Sequence, residues 1–332
     1  MKGGMKKILI CMVWICLISC SLSNKGEKFW VVIVRGDGIL IPFVMYDNGS
    51  WSNPWPRADE QVGVKLSSLK DVPRSWLGYI SPFPKQWTLL KTDGQTISIT
   101  VTAPVLCSIH CSYQWGLATN LYNKADKEEE WKKLGIAINT KRPLISIKQI
   151  TEHSMEWDEI LSFIKPILLR KETEYLNEQI RIAMVGHTES PIIAGKLKYY
   201  GLPFSEEERI NTPVIMKAVR NSEPIKGEYI YYIEAEKKYT APDNPSCEGI
   251  SAFSCWMIKN NKGENTLIKE EFRMSDCDRQ NIKTIEPLGI IPVNNKFYWI
   301  LVTYFYELET YSIVEISSIG IQEVVVIISG GC

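Results

Sequence analysis

Residues 87–102, WTLLKTDGQTISITVT, decide the fold class. Asp93-Gly94 is a dipeptide that tolerates positive φ, the requirement of a tight hairpin turn. Behind it Ile97, Ile99 and Val101 fall on one face of an extended strand, because successive side chains of a strand point to opposite sides. The stretch therefore reads as two antiparallel strands around a turn. The same grammar recurs upstream: FWVVIV from Phe29, a turn at Gly36-Asp37-Gly38, ILIPFVMY, and a second turn at Asn48-Gly49. Residues 29–150 are thus predicted to be antiparallel meanders.

From Glu152 the period changes. Trp157, Ile160, Leu161, Ile164, Ile167 and Leu168 recur at helical spacing, and Pro166 is predicted to kink or split the helix. Ser205 with Glu208 three residues on is a capping box, the start of a second short helix. The charge run at 123–135 has no apolar face and reads as a solvated loop or short exposed helix. Residues 151–225 form the helical segment. Strand-forming sequence returns over 226–332, in YIYYIEAEKKY, FSCWMIK and KFYWILVTYFY. The expected fold is mainly β with a helical insertion. Trp256 and Trp299 open similar units about forty residues apart, near the period of a propeller blade, so a propeller-like closure is an alternative to open meanders.

The chain of 332 residues is long enough for one large or two ordinary domains, and 45% of it is apolar, enough for a sizeable core. Its 38 basic and 38 acidic residues balance. With no basic stripe or tail, nucleic acid is not an expected partner.

The first residues, MKGGMKK, carry Lys2, Lys6 and Lys7 and no acid, and an apolar run, ILICMVWICLI, spans 8–18. At ~1.5 Å per residue that run covers about half of a ~30 Å hydrocarbon core, which suits a secretory leader better than a spanning helix. Leu17-Ile18-Ser19-Cys20 resembles the lipobox of bacterial lipoproteins. The resemblance covers about the first twenty residues and implies that Cys20 is alkylated with diacylglycerol and that the peptide is cut before it. In that class the new amino terminus is often acylated too. Residues 1–19 would then be leader and 20–28 a polar tether, with the membrane a partner through the lipid. Ser21 after the cysteine suggests the outer membrane, by analogy with lipoprotein sorting. Beyond the leader and Cys20, six of the nine cysteines remain: Cys107, Cys111, Cys247, Cys255, Cys277 and Cys332. Outside the cytoplasm they can pair; a bridge within the 247–277 group is expected, with Cys332 the odd one out.

No strong catalytic motif occurs. Cys107, His110 and Cys111 could ligate a metal, but no second pair has zinc-site spacing, so a local disulfide or buried thiols is favoured and no metal or cofactor is expected. His187 and Glu189 could form an acid–base pair, the basis of an alternative reading as a lipid-anchored hydrolase of envelope polymers. Neither G-x-S-x-G nor H-E-x-x-H is present. Ser67-x-x-Lys70 and Ser162-x-x-Lys165 lack companion motifs. Arg35-Gly36-Asp37 is accounted for as a turn. Trp51, Trp55, Trp76 and Trp87 form the richest aromatic cluster. Indoles usually dominate cores, but exposed ones can stack on sugars, so these four are the candidate ligand contacts. The expected role is non-enzymatic, in binding or envelope structure, with a glycan or another envelope molecule as partner.

Overall fold

The computed structural model describes residues 27–79, 83–109, 112–123, 132–186, 192–193, 195–197, 200–240, 246–306 and 308–331. Cys20, His110, Cys111, His187, Glu189, Cys332 and the leader lie outside the described residues.

The first strands are β1 (Lys28–Arg35), β2 (Ile39–Asp47), β3 (Ser50–Ser52), β4 (Gln86–Lys91), β5 (Thr96–Ile109), β6 (Ser112–Thr119) and β7 (Lys133–Ile138). The hairpin read at 87–102 is β4–β5, with Leu90 opposite Thr96 and Gly94 at φ 85°. Neighbours run β1-β7-β4-β5-β6-β2, and β2 pairs back to β1, so six antiparallel strands close into a barrel with β3 appended. Closure is narrow at one seam, where β2 meets β6 only through Ile39–Ala118 and Leu40–Leu117. Lys133–Gly135, the end of the charge run, belong to β7 rather than to a loop or helix. Lys28, read as the last tether residue, opens β1 and is held by Asp47 at 2.9 Å and the Gly78 carbonyl at 2.7 Å.

Both faces of β1 are buried. Trp30, Val32 and Val34 join Leu40, Leu89, Ile99, Leu117 and Ala137 in a core completed by Trp55, Val72, Trp76 and Leu77 from the long connection after β3. Phe29, Val31 and Ile33 face the other way, onto a second sheet. That sheet is a four-stranded antiparallel meander built from residues 284–331.

Between barrel and meander the chain forms β8 (Lys148–Gln149), α1 (Met155–Gly186), β9 (Ile192–Ile193), β10 (Lys196–Leu197) and α2 (Glu206–Asn211). α1 is one helix running through Pro166, not two. Pro166 is exposed, so water can reach the Ser162 carbonyl that loses its helical donor. Ser154 Oγ accepts from Trp157 N at 3.2 Å at the start of α1. Ser205 caps α2 by accepting from Glu208 N, as the capping box predicts.

Next come β11 (Ile215–Ile225), β12 (Glu228–Thr240), β13 (Glu248–Lys259) and β14 (Asn265–Ser275), then β15 (Thr284–Val293), β16 (Lys296–Tyr304), β17 (Leu308–Ser317) and β18 (Gly320–Gly331). The segment read as helical therefore ends in a strand, β11, that belongs to the sheet after it. β11–β14 and β15–β18 are consecutive meanders packed face to face. Ile230, Tyr232, Trp256 and Ile258 meet Ile290, Trp299, Leu301 and Val314. Trp256 and Trp299 lie edge to face with centroids 5.3 Å apart. The other face of β11–β14 receives Trp157, Ile160, Ile164 and Leu168 of α1. The layers are thus barrel, meander, meander, helix. The forty-residue spacing of the two tryptophans reflects successive sandwich layers. Closure is by the barrel, and the described residues form no ring of blades.

Candidate functional site

The tryptophans singled out in the sequence are committed to packing. Trp55 and Trp76 are buried against each other with centroids 5.0 Å apart, and Trp55 Nε1 donates to the Trp115 carbonyl. Trp87 is buried and donates to Pro84 O at 2.7 Å. Trp51 is half-buried within a ring cluster formed with Phe29, Tyr46 and Tyr298. Arg35 and Asp37 are buried and paired with each other at 2.7 Å, so that tripeptide is folded on itself. Cys107 is buried, and the described residues contain no cluster of three metal-ligating side chains.

The strongest site lies elsewhere, at the open end of the sandwich. On β12 one face reads Ile230, Tyr232, Glu234, Glu236. The first two are covered by the facing meander, which begins only at Thr284. Beyond that point the sheet carries charges in register: Glu234 opposite Ser254 opposite Glu271, and Glu236 opposite Ala252 opposite Arg273. Ala218, Ala252 and Ser254 are small, so the surface sinks into a cleft of about 230 Å³. Lys217 and Arg220 of β11 line one side, and Arg279, Ile282, Lys283 and Thr284 the other. That second wall is the 276–284 loop. It is tied down at its base by the Cys247–Cys277 disulfide, which lies within the expected group, and by turn bonds from Arg279 N to Asp276 O and from Ile282 N to Arg279 O.

The charges are layered. Glu236 is the deepest acid, its side chain 2% exposed, and it pairs with Arg279 at 2.9 Å and Lys217 at 3.7 Å. Glu271, 21% exposed, pairs with Lys283 at 2.5 Å and Arg273 at 3.2 Å. The cations stand further out, at 48% for Lys217, 41% for Arg279, 60% for Arg273 and 27% for Lys283. Burial alone would raise the Glu271 carboxyl, but its bonds to Lys283 and Arg273 outweigh that and hold it below the usual range. Glu234 goes the other way: burial pushes its carboxyl up, opposed by bonds from Tyr232 Oη at 2.6 Å and Ile285 N at 2.9 Å. Acids thus form the floor and cations the rim.

The raised Glu234 carboxyl has a measurable consequence. The folded state holds that proton more tightly than the unfolded chain, so stability falls as pH rises from the ordinary carboxylate value through the raised one. Glu234→Gln keeps an acceptor for both bonds and removes the charge. The variant should match the parent near about pH 4 and unfold at a higher temperature than the parent near about pH 8. A thermal-unfolding series across that range checks it. Equal or lower stability at the alkaline end contradicts the reading.

Glu271, Arg273 and Lys283 also form one wall of an adjoining groove of about 690 Å³. Its other residues include Tyr175, Tyr200, Phe272 and Phe305, with Gln280 and Asn281. β14 is the sheet's edge strand, and its alternation divides the two spaces: Glu271 and Arg273 toward the cleft, Phe272 and Met274 toward the helix side. The Tyr175 hydroxyl, which bonds with Tyr200, is pushed up to about 12, mainly by burial. Among the described residues the cleft's lining offers ionic and hydrogen-bonding groups, which suit it to holding a ligand. Sequence reading missed this site because a charge alternating on a strand looks like any solvated face. The signal present was the switch from aromatic to acidic residues on one face of YIYYIEAEKKY.

No protein family, curated protein or solved structure matches the chain.

Proposed function

We propose that this chain is an exported lipoprotein of the cell envelope that binds a ligand in the charged cleft and does not turn it over. The observation that carries export is the Cys247–Cys277 bridge, because such bonds persist in oxidising compartments and are rare in reducing ones. It is independent of the leader, yet agrees with it. Leu17-Ile18-Ser19-Cys20 supplies the anchor: one acyl chain holds a membrane marginally, whereas two or more, at ~0.8 kcal/mol per buried CH₂, hold it durably. Residues 20–27 reach roughly 25–30 Å when extended, enough to let the folded body sit beside the bilayer. Ser21 favours the outer membrane, and an envelope glycan is the favoured partner. A sandwich mouth with a pinned wall and paired charges is a preorganised seat, which supports binding.

Replacing Cys20 with Ser tests the anchor. The precursor should accumulate uncut, and the protein should move from the detergent-rich to the aqueous phase on detergent partitioning. Normal processing with unchanged partitioning would exclude lipid anchoring at this position.

A further inference from the structure

We infer that the cleft and its adjoining groove together bind an acidic saccharide, with the sugar's carboxylates at the cationic rim and its rings in the aromatic groove. This deepens the reading of the cleft as a ligand seat and rests on it. The sign of the ligand follows from the layering. Both Glu236 and Glu271 are already paired, and they lie below the cations that pair with them. An incoming molecule therefore meets Lys217, Arg273, Arg279 and Lys283 first, each with more exposed surface than the acid beneath. Their donors exceed what the acids can accept, because a guanidinium carries five N–H groups and an ammonium three. A carboxylate on the ligand can take the remainder as charge-assisted bonds.

The rest of the ligand follows from the groove. It shares Glu271, Arg273 and Lys283 with the cleft, so a molecule that passes around the sheet edge at β14 reaches both spaces. Tyr175, Tyr200 and Phe272 are half-buried and Phe305 is 43% exposed. Such rings present flat apolar faces with a polar edge. The Gln280 and Asn281 amides beside them each combine donor and acceptor, the match for hydroxyls. Flat apolar faces flanked by amides suit a pyranose, whose C–H face is apolar and whose rim is polar. At about 690 Å³ the groove lies within the ~300–1,000 Å³ typical of ligand sites. A bare anion would leave it empty, and a neutral sugar would leave the rim cations unused.

The test is calorimetric titration of the full processed chain in detergent with three probes: a linear galacturonic-acid trisaccharide, maltotriose and inorganic phosphate. The acidic trisaccharide should bind one per chain and weaken as salt rises from about 50 to about 500 mM, where the screening length shortens to a few Å. Arg273→Gln, which leaves Glu271 paired to Lys283, should weaken it about tenfold, the scale of one charge-assisted hydrogen bond. Phe305→Ser, on an exposed turn, should weaken it by a similar factor. Maltotriose should not bind detectably. The inference is overturned if the acidic trisaccharide does not bind, or if maltotriose binds as well as it does. It is also overturned if phosphate binds as tightly and Phe305→Ser changes nothing, since the site would then recognise the anion alone. None of these outcomes bears on Cys20, whose partitioning assay reads the anchor separately.

Discussion

Glu172→Ala lowers the unfolding free energy by about 3–5 kcal/mol, the cost of stranding a buried charge without its partner. Glu172 is on α1 and fully buried. It accepts from Lys237 Nζ at 3.0 Å, Tyr239 Oη at 2.8 Å and Ser251 Oγ at 2.8 Å. These partners lie on two strands of the sheet, so one carboxylate ties the helix to β12 and β13. Burial and then the Glu172 charge hold the Tyr239 hydroxyl well above the usual tyrosine range, so it remains a donor. With the carboxylate gone, the Lys237 ammonium, 3% exposed, keeps only the Arg209 carbonyl at 2.7 Å. Domains are stable by about 5–15 kcal/mol, so the loss is a large share of the total. Glu172→Gln combined with Lys237→Met removes both charges and leaves an acceptor for the two hydroxyls; it should recover most of the loss. Urea unfolding of the three proteins measures both effects. A Glu172→Ala variant within about 1 kcal/mol of the parent would contradict the role given to this cluster.

Removing the Cys247–Cys277 bridge costs about 3.6 kcal/mol, because a closed loop of 30 residues restricts the unfolded chain by roughly that much. The bridge joins the start of β13 to the foot of the 276–284 loop, so its loss also frees the wall that carries Arg279 and Lys283. Replacing both cysteines with Ala should therefore lower the thermal midpoint and weaken ligand binding more than it weakens the fold. Cys255 cannot substitute as a partner: it is buried, and burial with nearby Glu270 raises its thiol far above the usual range. An unchanged midpoint in the double variant, or in the parent under reductant, would mean that the bridge constrains nothing.

Local chemistry was legible in the sequence and long-range pairing was not. The Asp93-Gly94 hairpin, the apolar stripe of α1 and the Ser205 cap depend on residues near one another in the chain, and each stands where its pattern put it. Barrel closure depends on β1 meeting β7 about a hundred residues later, and on a two-residue seam between β2 and β6. No local pattern encodes either. Alternation in β1 could not reveal that both faces are buried, because a two-sided core erases the polar half of the period. Of the tryptophans near the amino end, Trp55, Trp76 and Trp87 are buried and Trp51 is half-buried, a division that composition does not encode because it does not say which way an indole faces. The cleft was hidden by register. Glu234, Ser254 and Glu271 are far apart in sequence and come side by side only once β12, β13 and β14 pair.

The proposed anchor holds this body on a lipid at Cys20, outside the reducing interior. The most direct test is the intact mass of the protein extracted from membranes of the cells that make it. The account predicts a chain lacking residues 1–19, heavier than its peptide mass by a diacylglyceryl group and an added acyl chain on Cys20, and lighter by two hydrogens for the Cys247–Cys277 bridge. A chain that retains Met1, or one cut elsewhere with Cys20 unmodified, would contradict it.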